Sequence, residues 1–160
     1  MNKMNKVLDF NQLKTFKLKF KNKKIILCHG VFDLLHVGHI NYFKAAKNLG
    51  DILVVSVTDD QFVNKGPGRP AFKTDDRIKF LKEITCVDYV CASHASTAEK
   101  IIENLKPNFY CKGIDYTDVS PKKDPNLDRE IKALRFSGGK FSIIKEKNFS
   151  SSKTINDNGL

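Results

Sequence analysis

Apolar and polar residues along the chain form blocks that predict strands and helices in alternation. Residues 25–28 are apolar without interruption, which is typical of a central strand of a parallel sheet, because both faces of such a strand are covered. Four more mainly apolar runs follow, at residues 52–57, 87–92, 109–111 and 141–144, and three of them contain one polar residue each. The pattern therefore predicts a sheet of five strands.

Between these runs the apolar residues recur every three or four positions, as they do on one face of a helix. The stretches with this spacing are 37–49, 75–84, 101–105 and 127–136. Ser96, followed by Glu99 three residues later, predicts the N-cap of the third of these helices. Strands that alternate with helices predict an α/β fold with an open, mainly parallel sheet.

Distinctive loop sequences follow the predicted strands. They lie at residues 30–39, 65–69, 112–116 and 148–153, and the second of them is rich in Gly and Pro. Parallel strands place their carboxyl ends at one edge of the sheet, and ligands of α/β proteins bind there, near the change in strand order. We therefore expect these four segments to share one site.

Length and composition indicate one domain. A chain of 160 residues with 41% hydrophobic residues can fill a single core. No apolar stretch approaches the roughly 20 residues that span a membrane, and residues 1–9 lack the basic-then-apolar pattern of a secretory signal. These features predict a cytoplasmic protein that does not insert in a membrane.

The four cysteines show no pattern of a metal site or of a disulfide framework. Cys28, Cys86, Cys91 and Cys111 form no CxxC pair and have no histidine at the spacing of zinc ligands. Three of them interrupt apolar runs of the strand type. We therefore predict buried, reduced thiols and no metal ligands in the chain.

The positive charge is concentrated at the start of the chain. Residues 1–24 contain eight Lys and one Asp, so they carry +7 of the formal net charge of +10. Phe and Leu are interleaved with these lysines, as in an amphipathic helix or arm that lies against a domain. We predict a basic N-terminal arm or helix at residues 1–22 and one domain at 23–160. A nucleic-acid partner is disfavoured, because the charge is not spread over the domain.

Two histidines stand three residues apart at the start of the predicted helix 37–49. His36 and His39 therefore lie on one face near its N-terminus, where free backbone N–H groups and the helix dipole favour an anion. Their imidazoles can donate to phosphate oxygens, and Gly38 between them lets a bulky ligand come close to the backbone. On this spacing alone, a histidine pair that only caps the helix explains the sequence at least as well.

The whole stretch at residues 30–39, GVFDLLHVGH, closely resembles the signature of the cytidylyltransferase-like nucleotidyltransferases, which have a Rossmann-like fold. The similarity extends over roughly residues 24–156. The segments KGIDY at 112–116 and GRP at 68–70 look like the branch that includes the heptose-1-phosphate adenylyltransferases and related sugar-phosphate nucleotidyltransferases. The glycerol-3-phosphate cytidylyltransferases share the histidine core but resemble this chain less around residue 112.

This resemblance implies transfer of AMP or CMP from a nucleoside triphosphate to a sugar phosphate, with release of pyrophosphate, in the synthesis of surface-polysaccharide precursors. It also implies Mg²⁺ bound to the nucleoside triphosphate, and a homodimer. The acceptor phosphate is an adequate nucleophile by itself. The protein therefore has to hold it in line with the α-phosphorus and to neutralise the charge that grows on the phosphates.

By position in the motifs of the family, the resemblance implies that His36, His39 and Lys65 are catalytic. The residues implied to contact the nucleotide are Gly30, Val31, Phe32, Gly38, Arg77, Gly113, Asp115, Ser150, Ser151 and Ser152. Lys65 and Lys112 are the predicted contacts for the acceptor phosphate. Asp33 is predicted to orient the motif by hydrogen bonding.

Two alternatives stay open at this point. One is a cytidylyltransferase of the glycerol-3-phosphate type, which acts on a polyol phosphate, because these residues do not distinguish ATP from CTP. The other is a non-catalytic module that binds nucleotide or nucleic acid through the basic segment. Deletion of residues 1–22 is expected to leave catalysis largely intact in an enzyme and to abolish binding by such a module.

Overall fold

The computed structural model describes residues 6–145. The strands are β1 (Val7–Leu8), β2 (Ile25–Gly30), β3 (Ile52–Thr58), β4 (Tyr89–Ser93), β5 (Phe109–Gly113) and β6 (Lys140–Ile144). The helices are α1 (Leu13–Lys19), α2 (Val37–Lys47), α3 (Thr74–Lys82), α4 (Glu99–Leu105) and α5 (Pro125–Phe136). Short 3₁₀ turns precede α1 and follow β3 and β5.

All pairs of neighbouring strands are parallel, and the strand order is β1-β4-β3-β2-β5-β6. The chain runs outward from β2 through β3 and β4 on one side and through β5 and β6 on the other. The strand order therefore changes direction between β2 and β5, where α/β proteins bind their ligands. The predicted α/β fold with a parallel, Rossmann-like sheet is confirmed.

The sheet has six strands rather than the predicted five. The extra strand is β1, in which Val7 and Leu8 pair with Val90 and Cys91 of β4. It lies within the segment predicted as an arm, and a strand of two residues is too short to leave a periodic pattern in the sequence.

Helix α1 belongs to the core of the domain. Leu13 is fully buried, and the ring of Phe16 packs edge-on against Tyr89, with the ring centroids 4.7 Å apart. Deletion of residues 1–22 would therefore remove part of the core. Loss of activity in this deletion variant would therefore not distinguish an enzyme from a binding module, contrary to the expectation from the sequence.

Helices cover both faces of the sheet. Ile25 and Leu27 of β2 belong to a core cluster with α1, α4 and α5, whereas Ile26 and Cys28 belong to a second cluster with α2 and α3. Alternate residues of a strand point to opposite faces, so β2 is covered on both sides. This double burial is the reason for its uninterrupted apolar run.

The predicted N-cap at Ser96 is wrong. Helix α4 begins at Glu99, its cap residue is Ala98, and no side chain of the cap accepts a hydrogen bond there. The Ala98 N–H instead donates to a carboxylate oxygen of Glu130, 2.8 Å away. A partner distant in sequence has taken the place of the local cap.

The cysteines are free thiols, and Cys28, Cys91 and Cys111 are buried, as predicted. Cys86 is only partly buried, so the prediction is wrong for this residue. None of the helices among residues 6–145 combines the length and the apolar character needed to cross a membrane.

Candidate active site

A cavity of about 420 Å³ opens at the carboxyl ends of β2 and β5. Its walls are the start of α2, the loop after β3, the segment after β5 and the first turns of α5. We call it the main cavity. It lies where the change in strand order predicts a ligand site.

The main cavity brings together most of the predicted site residues. Those that line it are Gly30, Val31, Phe32, His36, His39, Lys65, Lys112, Gly113 and Asp115. Gly38 is buried in the first turn of α2 and does not line the cavity. Ser150, Ser151 and Ser152 lie outside the described residues.

The two histidines begin helix α2 by capping each other. The Gly38 N–H donates to Nδ1 of His36 at 3.1 Å, and the His36 N–H donates to Nδ1 of His39 at 3.3 Å. An Nδ1 that accepts a hydrogen bond carries no proton, so the proton of each neutral ring is on Nε2. The cap therefore leaves each imidazole with one Nε2–H donor, and both rings line the main cavity. The two readings of the histidine spacing, cap and phosphate donor, are compatible.

Both histidines are neutral near pH 7. Burial lowers the pKa of His36. Burial, repulsion from His36 when that ring is protonated, and the charge of Lys65 lower the pKa of His39 to about 4. A neutral imidazole donates through Nε2–H alone. The pair thus offers two donors to an anion without being charged beforehand.

Phe32 adopts an unusual backbone conformation in this motif. Its φ is +49°, in the left-handed region, and its ring lies edge-on to His39 with the centroids 5.8 Å apart. A Cβ at position 30 would come within 3.0 Å of the Phe32 ring. A side chain at position 30 would therefore displace the Phe32 ring, which forms part of the wall beside His39.

Asp33 ties the motif to the loop after β3. Its carboxylate accepts hydrogen bonds from Arg69 Nε at 2.7 Å and from the backbone N–H groups of Ala71 and Phe72 at 2.8 and 2.9 Å. Burial alone would raise the pKa of Asp33, but these hydrogen bonds and the charge of Arg69 outweigh it and lower the pKa. Asp33 thus orients the loop that carries Lys65.

Lys65 and Arg69 bring two positive charges to the mouth of the main cavity. Partial desolvation and the charge of Arg69 lower the pKa of Lys65, although Asp33 acts in the opposite direction. Both residues lie on the Gly/Pro loop that Asp33 holds. The histidine side of the cavity is therefore built to receive an anion.

The structure contradicts the predicted contact between Arg77 and the nucleotide. It is fully buried and lies outside the main cavity. Its five N–H donors are all used by the protein, because Nε bonds Phe72 O, one NH₂ group bonds Val31 O and Thr58 O, and the other bonds Asp60 and Thr74 side-chain oxygens. With every donor occupied, the guanidinium joins loop to strand and has none left for a phosphate.

The wall of the main cavity opposite His36 and His39 contains polar residues that the sequence analysis did not identify. His29 is buried next to Lys112 in the sheet, and its Nδ1 lies 2.7 Å from Ser56 Oγ. Burial and the charge of Lys112 lower the pKa of His29 well below its usual value. Glu130 of α5 also lines this wall.

A signal for Glu130 was present in the sequence. Glu130 stands between Leu127 and Leu134 at spacings of three and four, which places an acidic residue on the apolar face of α5. For His29 the comparable signal is a polar residue at the end of an apolar strand.

No group of three or more His, Cys, Asp or Glu among residues 6–145 could hold a metal ion. Asp33, the carboxylate next to the histidines, is already occupied by three donors. The described residues therefore do not fit a resident metal of the protein.

The chain matches the family model described as cytidylyltransferase-like over residues 27–157. Bifunctional protein HldE of Desulfatibacillum aliphaticivorans is 38% identical over 143 residues, which cover 88% of this chain and 28% of that protein. Bifunctional protein HldE of Citrifermentans bemidjiense is 42% identical over 127 residues, which cover 78% of this chain and 25% of that protein. The chain spans about a quarter of the length of these curated relatives.

Two solved structures share the fold. A lipopolysaccharide core biosynthesis protein from Thermoplasma volcanium has a TM-score of 0.62 and 26% identity, with 80% of this chain and 99% of that chain covered. Pantoate-beta-alanine ligase from Francisella tularensis, solved with an ATP analogue and beta-alanine, has a TM-score of 0.64 and 17% identity, with 95% of this chain and 73% of that chain covered. At that identity the second similarity concerns the fold alone.

Proposed function

Because this chain belongs to the cytidylyltransferase-like family, we propose that it is a nucleotidyltransferase that transfers AMP or CMP from a nucleoside triphosphate to a sugar phosphate of the heptose-1-phosphate type. Pyrophosphate is the second product. The curated relatives named HldE and the structural neighbour in lipopolysaccharide core biosynthesis support a role in surface-polysaccharide precursor synthesis.

The observation that carries this proposal is the mutual cap of His36 and His39. In the proposed reaction an oxygen of the acceptor phosphate attacks the α-phosphorus, and the bond from the α-phosphorus to the bridging oxygen of pyrophosphate breaks. Negative charge then grows on the α-phosphate and on the leaving pyrophosphate. The two Nε2–H donors, held in place by the cap, and the ammonium of Lys65 stabilise that charge.

Mg²⁺ enters this proposal as part of the nucleoside triphosphate, where it would offset the negative charge of the phosphates. Gly30, Val31 and Phe32 line the nucleotide, and Gly113 and Asp115 lie near the base. The homodimer and the cytoplasmic location remain predictions from the sequence.

Pyrophosphate release tests the proposal. The panel pairs ATP and CTP with heptose 1-phosphate, other sugar 1-phosphates and glycerol 3-phosphate, each with Mg²⁺. We expect turnover with a sugar 1-phosphate. Preference for glycerol 3-phosphate with CTP would favour the polyol-phosphate alternative, and folded protein that turns over no pair would contradict the enzyme.

Substitution of His39 tests the proposed donor. His39→Ala should lower kcat at least about a hundredfold, the usual effect of losing a transition-state donor. His39→Asn keeps an acceptor near the position of Nδ1, and so the cap, but removes the Nε2–H, and it should lower kcat by a similar factor. His94→Ala is the matched control, because His94 is exposed and does not line the main cavity. Unchanged kcat in the Asn variant would remove His39 from this role.

A further inference from the structure

Glu130 is a buried carboxylate that joins three elements around the wall opposite the histidines. It is only 4% exposed, its Oε1 accepts a hydrogen bond from the Ala98 N–H at 2.8 Å, and its Oε2 accepts one from the Tyr110 hydroxyl at 2.8 Å. The same Oε2 lies 3.7 Å from the ammonium of Lys112. The carboxylate is thus fixed in place by two short hydrogen bonds and faces a cation that it does not bond directly.

The ammonium of Lys112 is nearly buried and yet donates no hydrogen bond to the part of the chain that the structure describes. Lys112 is 6% exposed and lines the main cavity, and its Nζ lies 5.3 and 4.8 Å from the ring centroids of Tyr110 and Tyr116. Among residues 6–145, no group accepts a hydrogen bond from it within 3.5 Å. A cation this deep is stable only where a carboxylate offsets its charge, and Glu130 does so. With respect to residues 6–145, its N–H donors therefore stay free for a ligand.

Lys112 and the histidines approach the main cavity from opposite faces of the sheet. The strand register places Lys112 on the face that α4 and α5 cover, whereas His36 and His39 lie at the start of α2, on the other face. In-line displacement puts the attacking and leaving oxygens on opposite sides of the α-phosphorus. Two groups of donors on two walls therefore match two anions, the leaving pyrophosphate and the incoming phosphate ester.

We propose that Glu130 is a positioning residue that holds the Lys112 ammonium in place for the phosphate oxygens of the acceptor. This inference rests on the proposed function. Glu130 acts through Lys112 and does not touch the substrate itself.

A spectroscopic test needs no turnover. In protein labelled with ¹⁵N-lysine, the ammonium signal of Lys112 is the one that Lys112→Met removes. Inorganic phosphate, used as the probe, should shift that signal in the unmodified protein. In Glu130→Gln the Lys112 signal should already be displaced or broadened before phosphate is added, and phosphate should shift it only weakly. A Lys112 signal that is the same in both proteins would overturn the inference.

A double-mutant cycle, measured by steady-state kinetics, tests whether Glu130 acts through Lys112. Glu130→Gln should raise the KM for the sugar phosphate about tenfold, equivalent to about 1.4 kcal/mol, with the KM for the nucleoside triphosphate changed less than about twofold. In the Lys112→Met background Glu130→Gln should have no further effect, because its partner is gone. An equal effect in both backgrounds would mean a merely structural role.

Two more variants keep the test decisive. Glu103→Gln is the matched control, because Glu103 is exposed and pairs with Lys100 at the surface. Glu130→Asp keeps the charge with one methylene fewer. Its KM for the sugar phosphate should exceed that of the unmodified protein, by less than the tenfold expected for Glu130→Gln. This variant provides the test if Glu130→Gln folds poorly. Unmodified protein that turns over no substrate pair would contradict the proposed function, whereas turnover with unchanged acceptor KM in both Glu130 variants would contradict only this inference.

Discussion

At the scale of single residues, the mutual cap of His36 and His39 links helix formation to chemistry. The hydrogen bonds that satisfy backbone N–H groups at the start of α2 also set the tautomer of both rings. A substitution at either position therefore has two effects, on the helix and on the donors. His39→Asn separates them, because it keeps an acceptor for the backbone and loses the donor.

The depressed pKa of His39 predicts how stability depends on pH. In the unfolded chain the pKa is about 6.5, and in the folded protein it is about 4. As pH falls from about 6.5 to about 4, the unfolded chain takes up a proton that the folded protein does not, so the free energy of unfolding falls. Above this window both states are neutral and the full stability is present.

Urea unfolding at about pH 7 and about pH 4.5 checks this prediction. Over that range His39→Asn should lose on the order of 1 to 2 kcal/mol less than the unmodified protein, after allowance for the partial exposure of the ring. His29, whose pKa is also lowered, acts equally in both proteins and cancels in the comparison. The same loss in both proteins would mean that His39 does not titrate as described.

Single residues also mark where sequence reasoning failed. An arginine at the start of a helix beside a nucleotide motif predicts a phosphate contact, but the loop and strand carbonyls that surround Arg77 come from residues up to 46 positions away. Glu130 and His29 were missed for the same physical reason. Their partners, Ala98 and Ser56, are brought near only by the fold.

At the scale of elements, β2 to β6 were predictable from their apolar runs, and α2 to α5 from apolar residues at helical spacing. The boundaries moved by a few residues, as at α2, which ends at Lys47 rather than at Leu49. The N-terminal segment was the exception. Its lysines dominate its composition, whereas its role depends on a few buried side chains such as Leu13 and Phe16.

Helix α1 offers an internal comparison between core and surface. Leu13→Ala should lower the free energy of unfolding by about 3 kcal/mol, because Leu13 is fully buried in the cluster beneath α4. Leu18→Ala on the same helix should change it by less than about 0.5 kcal/mol, because Leu18 is 73% exposed. Chemical denaturation of both variants measures the difference. Equal effects would contradict the packing of α1 as a core element.

At the scale of the whole molecule, the main cavity is built from segments distributed over most of the chain. The end of β2, the start of α2, the loop after β3 and the segment after β5 each supply one part of it. A nucleotide that contacts several of these segments binds the folded state alone. Its binding energy is therefore added to the stability of the whole domain.

Thermal unfolding with ATP, CTP, GTP or UTP and Mg²⁺ uses this coupling. At about 100 times its Kd, the cognate nucleotide should add about 2.7 kcal/mol and raise the Tm by roughly 5 to 10 °C. The base that gives the largest shift at equal concentration is the one the site selects. If no nucleotide raises the Tm, the main cavity is not a nucleotide site.

The position of β1 in the sheet has a consequence for synthesis of the chain. Val7 and Leu8 find their hydrogen-bond partners at Val90 and Cys91, and α1 packs on α4. On the ribosome, the amphipathic start of the domain is therefore exposed while some eighty residues are still being translated. The lysines around α1 give this exposed segment a net positive charge, and like charges disfavour its association with another copy of itself.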